Sequence, residues 1–107
     1  MRRSVDPRII CPTAALGDMI GSIRSMVNTI RTEGFDFNCP LQVLEYQESL
    51  YVIDGHHRLI AALLLAISEV PIDVLDELPW HESSARFVQG VPKSLRYDYD
   101  DLWGKAL

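Results

Sequence analysis

The chain has 107 residues, of which 48% are hydrophobic and 23% charged, a length and balance that suit one small domain with its own core. Ten lysines and arginines against fifteen aspartates and glutamates leave a formal charge of −5 at pH 7, which excludes broad, nonspecific nucleic-acid binding through a basic surface. The apolar run 59–67 is shorter than a membrane span and MRRSVDPRII has basic residues but no signal-peptide core, so the expectation is a cytoplasmic site of action with no membrane partner.

Taken in chain order, VDPRII is a short candidate strand closed by Cys11 and Pro12. Leu16, Met19, Ile20, Ile23, Met26, Val27 and Ile30 then recur at steps of three and four residues. Ser22, Arg24, Ser25, Asn28, Arg31 and Thr32 stand between them, and Gly34 closes the pattern. This predicts an amphipathic helix of about five turns. In the loop GFDFNCP, Phe35 and Phe37 are expected to close the core, while Asp36 and Asn38 are candidates to approach the next loop from across the sheet. LQVLEY and LYVI flank the polar QES, which predicts an antiparallel hairpin. Residues 59–67 are apolar on every side, the mark of an enclosed helix. Val70, Ile72 and Val74 alternate as a strand, with Pro71 marking an edge or a strand start.

Beyond Asp76 the chain is broken at Pro79, Gly90 and Pro92. It reads as a C-terminal extension, 77–107, with short helices near 82–88 and 98–105, packed on the same domain as a core of 1–76. Trp80 and His81 are expected to pack. Asp98, Asp100 and Asp101 lack the glycine and closing glutamate of a calcium loop and read as a solvated helix start. Cys11 and Cys39 are not spaced as a metal or redox pair and are expected to be reduced. Charge is uneven: Arg2, Arg3, Arg8, Arg24 and Arg31 dominate residues 1–34, whereas Glu69, Asp73, Asp76, Glu77 and Glu82 follow one another without a basic residue between them. The fold class expected is α/β (α+β), with a small mixed sheet containing a hairpin, one amphipathic helix, one buried helix and a short helical extension.

Between the hairpin and the enclosed helix stands Asp54-Gly55-His56-His57-Arg58. A helix start carries partial positive charge and favours acidic or hydroxyl side chains, so a run of three potentially cationic residues conflicts with it. An anion from outside resolves the conflict. The first N–H groups of a helix, behind a glycine that lets the backbone approach closely, make a phosphate site. Arg58 offers a two-pronged contact, and His56 or His57 a hydrogen bond or a proton transfer. Asp54 is a candidate helix cap, a partner for a histidine, or a Mg²⁺ ligand beside the phosphate. Any one of these residues alone suits a polar loop; the consecutive run against the dipole points to function.

A strand, DGHHR, an apolar helix and VPIDVLD together resemble the nucleotide-binding core of the ParB and sulfiredoxin (ParB/Srx) superfamily, over residues 5–76. The resemblance implies a glycine-led loop holding nucleotide phosphates at a helix N-terminus. Sulfiredoxins carry Gly-Cys-His-Arg with the cysteine as nucleophile, and His56 in that place argues against sulfinic acid repair. Chromosome-segregation ParB proteins carry Gly-Glu-Arg-Arg for CTP and a following DNA-binding helical domain, a pattern this chain does not share. Free-serine kinases keep Asp-Gly-His and use an upstream Glu, for which IICPTAALGD offers no counterpart. The ParB-like domains of bacterial polymorphic toxins, described as nucleases, are similar in more places: Ile10, Pro12 and Thr13 at the entry, Gly34, Phe35 and Asp36 in the loop, then the hairpin and DGHHR.

That resemblance implies that Asp54, His56, His57 and Arg58 are catalytic. Gly55, His56, His57, Arg58 and Thr13 contact phosphate, and Asp54 is the candidate Mg²⁺ ligand. The function expected is a phosphodiesterase or nuclease acting as a bacterial toxin effector on nucleic acid or nucleotide, with a cognate immunity protein as partner. The alternatives are an ATP- or ADP-dependent small-molecule kinase, and a noncatalytic switch for ATP, ADP or CTP or a protein-interaction domain.

Overall fold

The computed structural model describes residues 2–18 and 20–105, the side chains of 18–22 excepted. Strand β1 is Arg2–Val5. The expected single strand VDPRII is interrupted, because the Asp6 carboxylate accepts the Arg8 backbone N–H at 2.9 Å and starts a 3-10 turn over Pro7–Ile9. Proline fixes φ and lacks an N–H, which suits the first position of such a turn and not a continuous ladder. Only Ile10–Cys11 resumes as β2. A second 3-10 turn, Leu16–Asp18, precedes helix α1, Ile20–Glu33, so the helix starts later than Leu16. Ile23, Val27 and Ile30 form its buried stripe. Gly34 ends it with φ of +83° and its N–H on the Ile30 carbonyl at 2.8 Å, a cap that an L side chain resists. Met19 and the side chains of Ile20 and Ser22, which belong to the expected pattern, lie outside the described residues.

Strands β3 (Leu41–Tyr46) and β4 (Ser49–Asp54) pair antiparallel, as expected. Gln47 and Glu48 between them both take positive φ, 50° and 67°, the conformation whose twist matches a tight hairpin. Helix α2 (His56–Leu64) comes after one residue, and β5 (Val70–Leu75) completes the sheet. The order is β1-β5-β3-β4-β2, with β3–β5 and β2–β4 parallel and the other pairs antiparallel, a mixed five-stranded sheet. Pro71 lies at the second position of β5, which is interior, so it marks the strand start.

Alternation along the strands sorts their side chains onto two faces. Leu41, Val43, Leu50, Val52, Val70 and Ile72 join α1 and α2 in the main core. Residues 59–64 of α2 are all buried, as the all-round apolar sequence predicted. The helix is enclosed by the sheet, by α1 and by the chain end, where the Gly104 N–H donates to the Leu63 carbonyl at 2.9 Å. On the other face Leu44 and Leu78 are buried and α3 (Ser84–Gln89) packs against β3. Trp80 meets Phe87 at a tilt, with ring centroids 5.6 Å apart, and donates to Glu82 at 2.8 Å, but it is 52% exposed, and His81 is exposed beside it, so the pair lies at the surface and not in the core as expected.

Helix α4 (Leu95–Asp100) starts earlier than the expected 98–105 and returns to the first face. On the way Arg96 donates to the carbonyl of Ile10, the first residue of β2, and to that of Arg8 before it. Tyr99 and Leu102 then enter the main core, and the Tyr99 hydroxyl donates to the Ala14 carbonyl at 2.9 Å. The segment after β5 thus clasps the β2 edge from one face of the sheet to the other. Asp98, Asp100 and Asp101 are exposed, and the last two pair with Arg96 and Lys105 one helical turn away. Among the described residues no helix is long and apolar enough to cross a membrane, and both cysteines are free.

Burial, with Asp98 adding to it, pushes the Tyr99 phenol up to about 12, so its proton stays in place at neutral pH. Tyr99→Phe keeps the ring and removes the bond to Ala14, and should lower the unfolding free energy by about 1 kcal/mol in a urea titration. Tyr97→Phe, on a ring that is 77% exposed, should stay within about 0.5 kcal/mol of the wild type.

Candidate functional site

Strand β4 delivers the chain to the site through an irregularity. Asp54 opposes Gln42 but Val52 opposes Val43, so Ile53 is an extra residue on β4, a bulge of the kind that twists a strand end and re-aims the chain beyond it. Gly55 comes next with φ 104° and ψ 25°. A Cβ added there would lie 2.5 Å from Leu41 Cδ2 and 3.1 Å from Arg58 Nη2. Conformation and space both demand glycine at this joint.

Gly55 is the N-cap of α2, and the first intrahelical bond runs from the Leu59 N–H to its carbonyl at 2.9 Å. The N–H groups of His56, His57 and Arg58 precede that bond and have no intrahelical acceptor. The N-cap residue is Gly55, which has no side chain to offer them, and no acidic residue stands in the first turn. Asp54 is therefore not the expected cap; it is the exposed last residue of β4. The positive end of the α2 dipole is left without an acidic neighbour in its own turn, which is the electrostatic condition for an external anion.

His56 is half-buried in that turn. Its Nε2 lies 2.7 Å from Thr13 Oγ1, and the same Oγ1 donates to the Val52 carbonyl at 2.6 Å. Burial, then the neighbouring positive charge of His57, hold its pKa below the ordinary 6.5, with Asp54 opposing the shift; the ring is neutral at pH 7. His57 is half-buried beside it and also engaged. Arg58 folds back alongside Gly55, and its Nη1 donates to the Cys39 carbonyl. That carbonyl is presented by the preceding loop. The Asp36 carboxylate accepts the Asn38 N–H at 2.9 Å and Cys39 Sγ at 3.4 Å, an Asx-type turn. Asp36 thus shapes the loop that Arg58 grips. Phe35 packs against the core as expected, but Phe37 is 51% exposed and meets Phe35 edge-on at 6.1 Å.

Among the described residues no three His, Cys, Asp or Glu side chains converge on a metal position. Asp54 is a single exposed carboxylate, a donor that suits Mg²⁺ only when phosphate oxygens and water complete the shell. A cavity of about 890 Å³, which no motif signals, lies on the other side of β2, lined by Ile9, Tyr46, Tyr51, Val88, Lys93 and Tyr97 among others, with no contribution from residues 54–58. Its walls come from separate segments, so only the assembled fold reveals it.

No family model matches the chain, and no curated protein matches it in sequence. Solved structures do match. The sulfiredoxin from Arabidopsis thaliana gives a TM-score of 0.56 at 19% identity, over 70% of this chain and 84% of that one. A variant of a free serine kinase in complex with AMP gives 0.61 at 18% identity, over 70% of this chain and 31% of the kinase. The C-terminally truncated chromosome-partitioning protein ParB from Caulobacter crescentus, complexed with CTP-gamma-S, gives 0.58 at 20% identity, over 76% of this chain and 47% of that one. The chain thus spans about a third of the kinase and about half of that ParB. These likenesses show a ParB/sulfiredoxin-like α/β fold.

Two measurements check the local account. Gly34→Ala meets only an unfavourable φ, since nothing lies within 4 Å of an added Cβ, and should cost about 1 kcal/mol. Gly55→Ala adds the collision with Leu41 and should cost clearly more, about 2 kcal/mol or above, in the same urea titration. For His56 the sign comes from linkage. The unfolded ring takes a proton near 6.5 and the folded ring takes it only lower, so its contribution is present above 6.5 and lost as pH falls through the folded value. Between about pH 8 and pH 5 the Tm of the wild type should therefore drop more than that of His56→Asn. Parallel curves would remove His56 from the acid sensitivity.

Proposed function

We propose that the chain binds the phosphate of a nucleotide at the start of α2 and acts on it as a phosphodiesterase, with nuclease activity of the toxin-effector type as the finer reading. One observation carries the proposal: three helix-start N–H groups without intrahelical acceptors stand behind a glycine, with Arg58 and two histidines in the same turn and no acid there. A bound phosphate would accept from N–H groups of this turn and complement the dipole together. The complexes of similar folds with AMP and with CTP-gamma-S support a nucleotide as the bearer of that phosphate.

Charge limits the ligand's footprint to a few phosphates, those of a nucleotide or of a short stretch of nucleic acid. Arg3 pairs with Glu45 at 3.2 Å and Arg8 with Asp6 at 2.7 Å, so these arginines of the basic first third are neutralised within the protein. In the hydrolytic reading a water attacks phosphorus, its proton passes to a neutral histidine, the P–O bond to the leaving oxygen breaks, and that oxygen takes a proton from the histidinium or from water, so that the histidine is neutral again. The helix N–H groups and Arg58 stabilise the added negative charge. Asp54 would hold Mg²⁺ together with the phosphate oxygens, lowering the cost of that charge. The toxin reading also carries a cytoplasmic site of action and an immunity protein as partner. The likeness to a free serine kinase solved with AMP favours, as second reading, phosphoryl transfer to a small hydroxyl compound.

Calorimetric titration of ATP, ADP, CTP and a short DNA, with and without Mg²⁺, tests the proposal. Arg58→Ala should weaken whichever ligand binds by about tenfold or more, the worth of a charge-assisted contact. Binding that is equal in both proteins, or absent from both, overturns it. Cleavage of RNA or plasmid that His56→Ala abolishes supports the nuclease reading, whereas consumption of ATP only with a hydroxyl acceptor transfers the site to the kinase reading.

A further inference from the structure

We infer that Thr13 is a positioning residue that fixes the tautomer of His56, placing the ring proton on Nε2 and leaving the Nδ1 lone pair as the acceptor at the site. The role of that lone pair toward a ligand rests on the phosphate-site reading; the tautomer itself does not.

The donors and acceptors at Thr13 decide the tautomer. A threonine hydroxyl has one proton and two lone pairs, and a carbonyl can only accept. The Val52 carbonyl, 2.6 Å away, takes the Thr13 proton. His56 Nε2, 2.7 Å from the same oxygen, therefore meets a lone pair and must donate. A neutral imidazole carries one N–H, so Nδ1 is unprotonated. Among the described residues Nδ1 has no hydrogen-bond partner. No side-chain nitrogen or oxygen there is both sealed from solvent and unpartnered. Nδ1 consequently opens to the surface, in the first turn of α2.

This separates two roles that the motif alone leaves merged. With Nε2 committed to Thr13 and Nδ1 able only to accept, the neutral His56 ring cannot donate to a phosphate oxygen. The phosphate is gripped by the N–H groups and Arg58. The group facing His56 must instead be a hydrogen-bond donor, such as a water or an alcohol placed next to the phosphate. Thr13, which the resemblance assigns to phosphate contact, acts through the ring.

Nitrogen NMR of ¹⁵N-histidine-labelled full chain, at a pH where His56 is neutral, tests this. The expected result is a protonated signature at His56 Nε2 and an unprotonated one at Nδ1 in the wild type and in Thr13→Ser. Thr13→Val, which keeps the shape but removes the hydroxyl, should give the averaged shifts of an exchanging tautomer mixture. A proton on Nδ1 in the wild type overturns the inference even if the valine variant fails to fold, and so does an unchanged signature in a folded Thr13→Val. Inorganic phosphate should bind Thr13→Val within about twofold of the wild type; a tenfold loss, about 1.4 kcal/mol, makes Thr13 a phosphate contact and overturns the positioning role. If phosphate and nucleotides fail to bind the wild type, the phosphate-site reading falls alone, and the nitrogen signature still decides the tautomer.

Discussion

The joint between β4 and α2 leaves room for one residue with no side chain, and the rest of the molecule is arranged around that limit. Leu41 of β3 and the Arg58 guanidinium occupy the space that a Cβ on Gly55 would enter. The helix can therefore begin directly at the sheet edge of the core, with Leu59 and Ile60 wholly buried within two turns of the strand end. A longer connection would let α2 drift relative to β4. The same joint leaves three N–H groups at the end of the strand, where secondary structure cannot satisfy them. Packing and the candidate site thus share one cause.

The legible parts of the fold are those ruled by periodicity. The α1 stripe recurs at helical spacing and β4 alternates, while α2 is apolar and buried throughout residues 59–64 and β5 is buried over Val70–Ile72. The break between β1 and β2 is hidden because it depends on the bond from Arg8 to the Asp6 carboxylate inside a strand-like run. The placement of α4 is hidden because a six-residue helix has little intrinsic preference, and its position is set by distant partners: Tyr99 reaching Ala14 and Arg96 reaching Ile10. At the site, DGHHR stands out through its conflict with the helix dipole. The relay from His56 to Thr13 spans 43 residues of sequence, and no local pattern announces it. Asp36 stands out in the sequence as a polar residue between two phenylalanines, but its work is to shape a turn whose carbonyl Arg58 holds.

The electrostatics of the site differ in range from those of the chain. A net charge of −5 repels an approaching anion at distance, but that repulsion is screened within roughly 10 Å at ordinary salt. In the proposed function the attraction would come from N–H groups and a guanidinium that act at contact. Such a site discriminates by close fit and gains little from long-range steering. Its affinity should depend less steeply on salt than that of a basic groove, since few counterions leave a phosphate that backbone amides bind.

The clasp over β2 also bears on how the chain avoids pairing with its copies. A sheet edge presents unmatched N–H and C=O groups that can template another strand. At β1 the exposed edge is short and carries Arg2 and Arg3, whose charge discourages stacking. At β2 only Ile10 and Cys11 are paired, and the carbonyls of Ile10 and of Arg8 before it are taken by Arg96. Arg96 is made long after β4 has emerged. During synthesis the hairpin therefore passes through an interval in which that side of the sheet is uncovered, and α4 closes it against strand exchange between nascent chains.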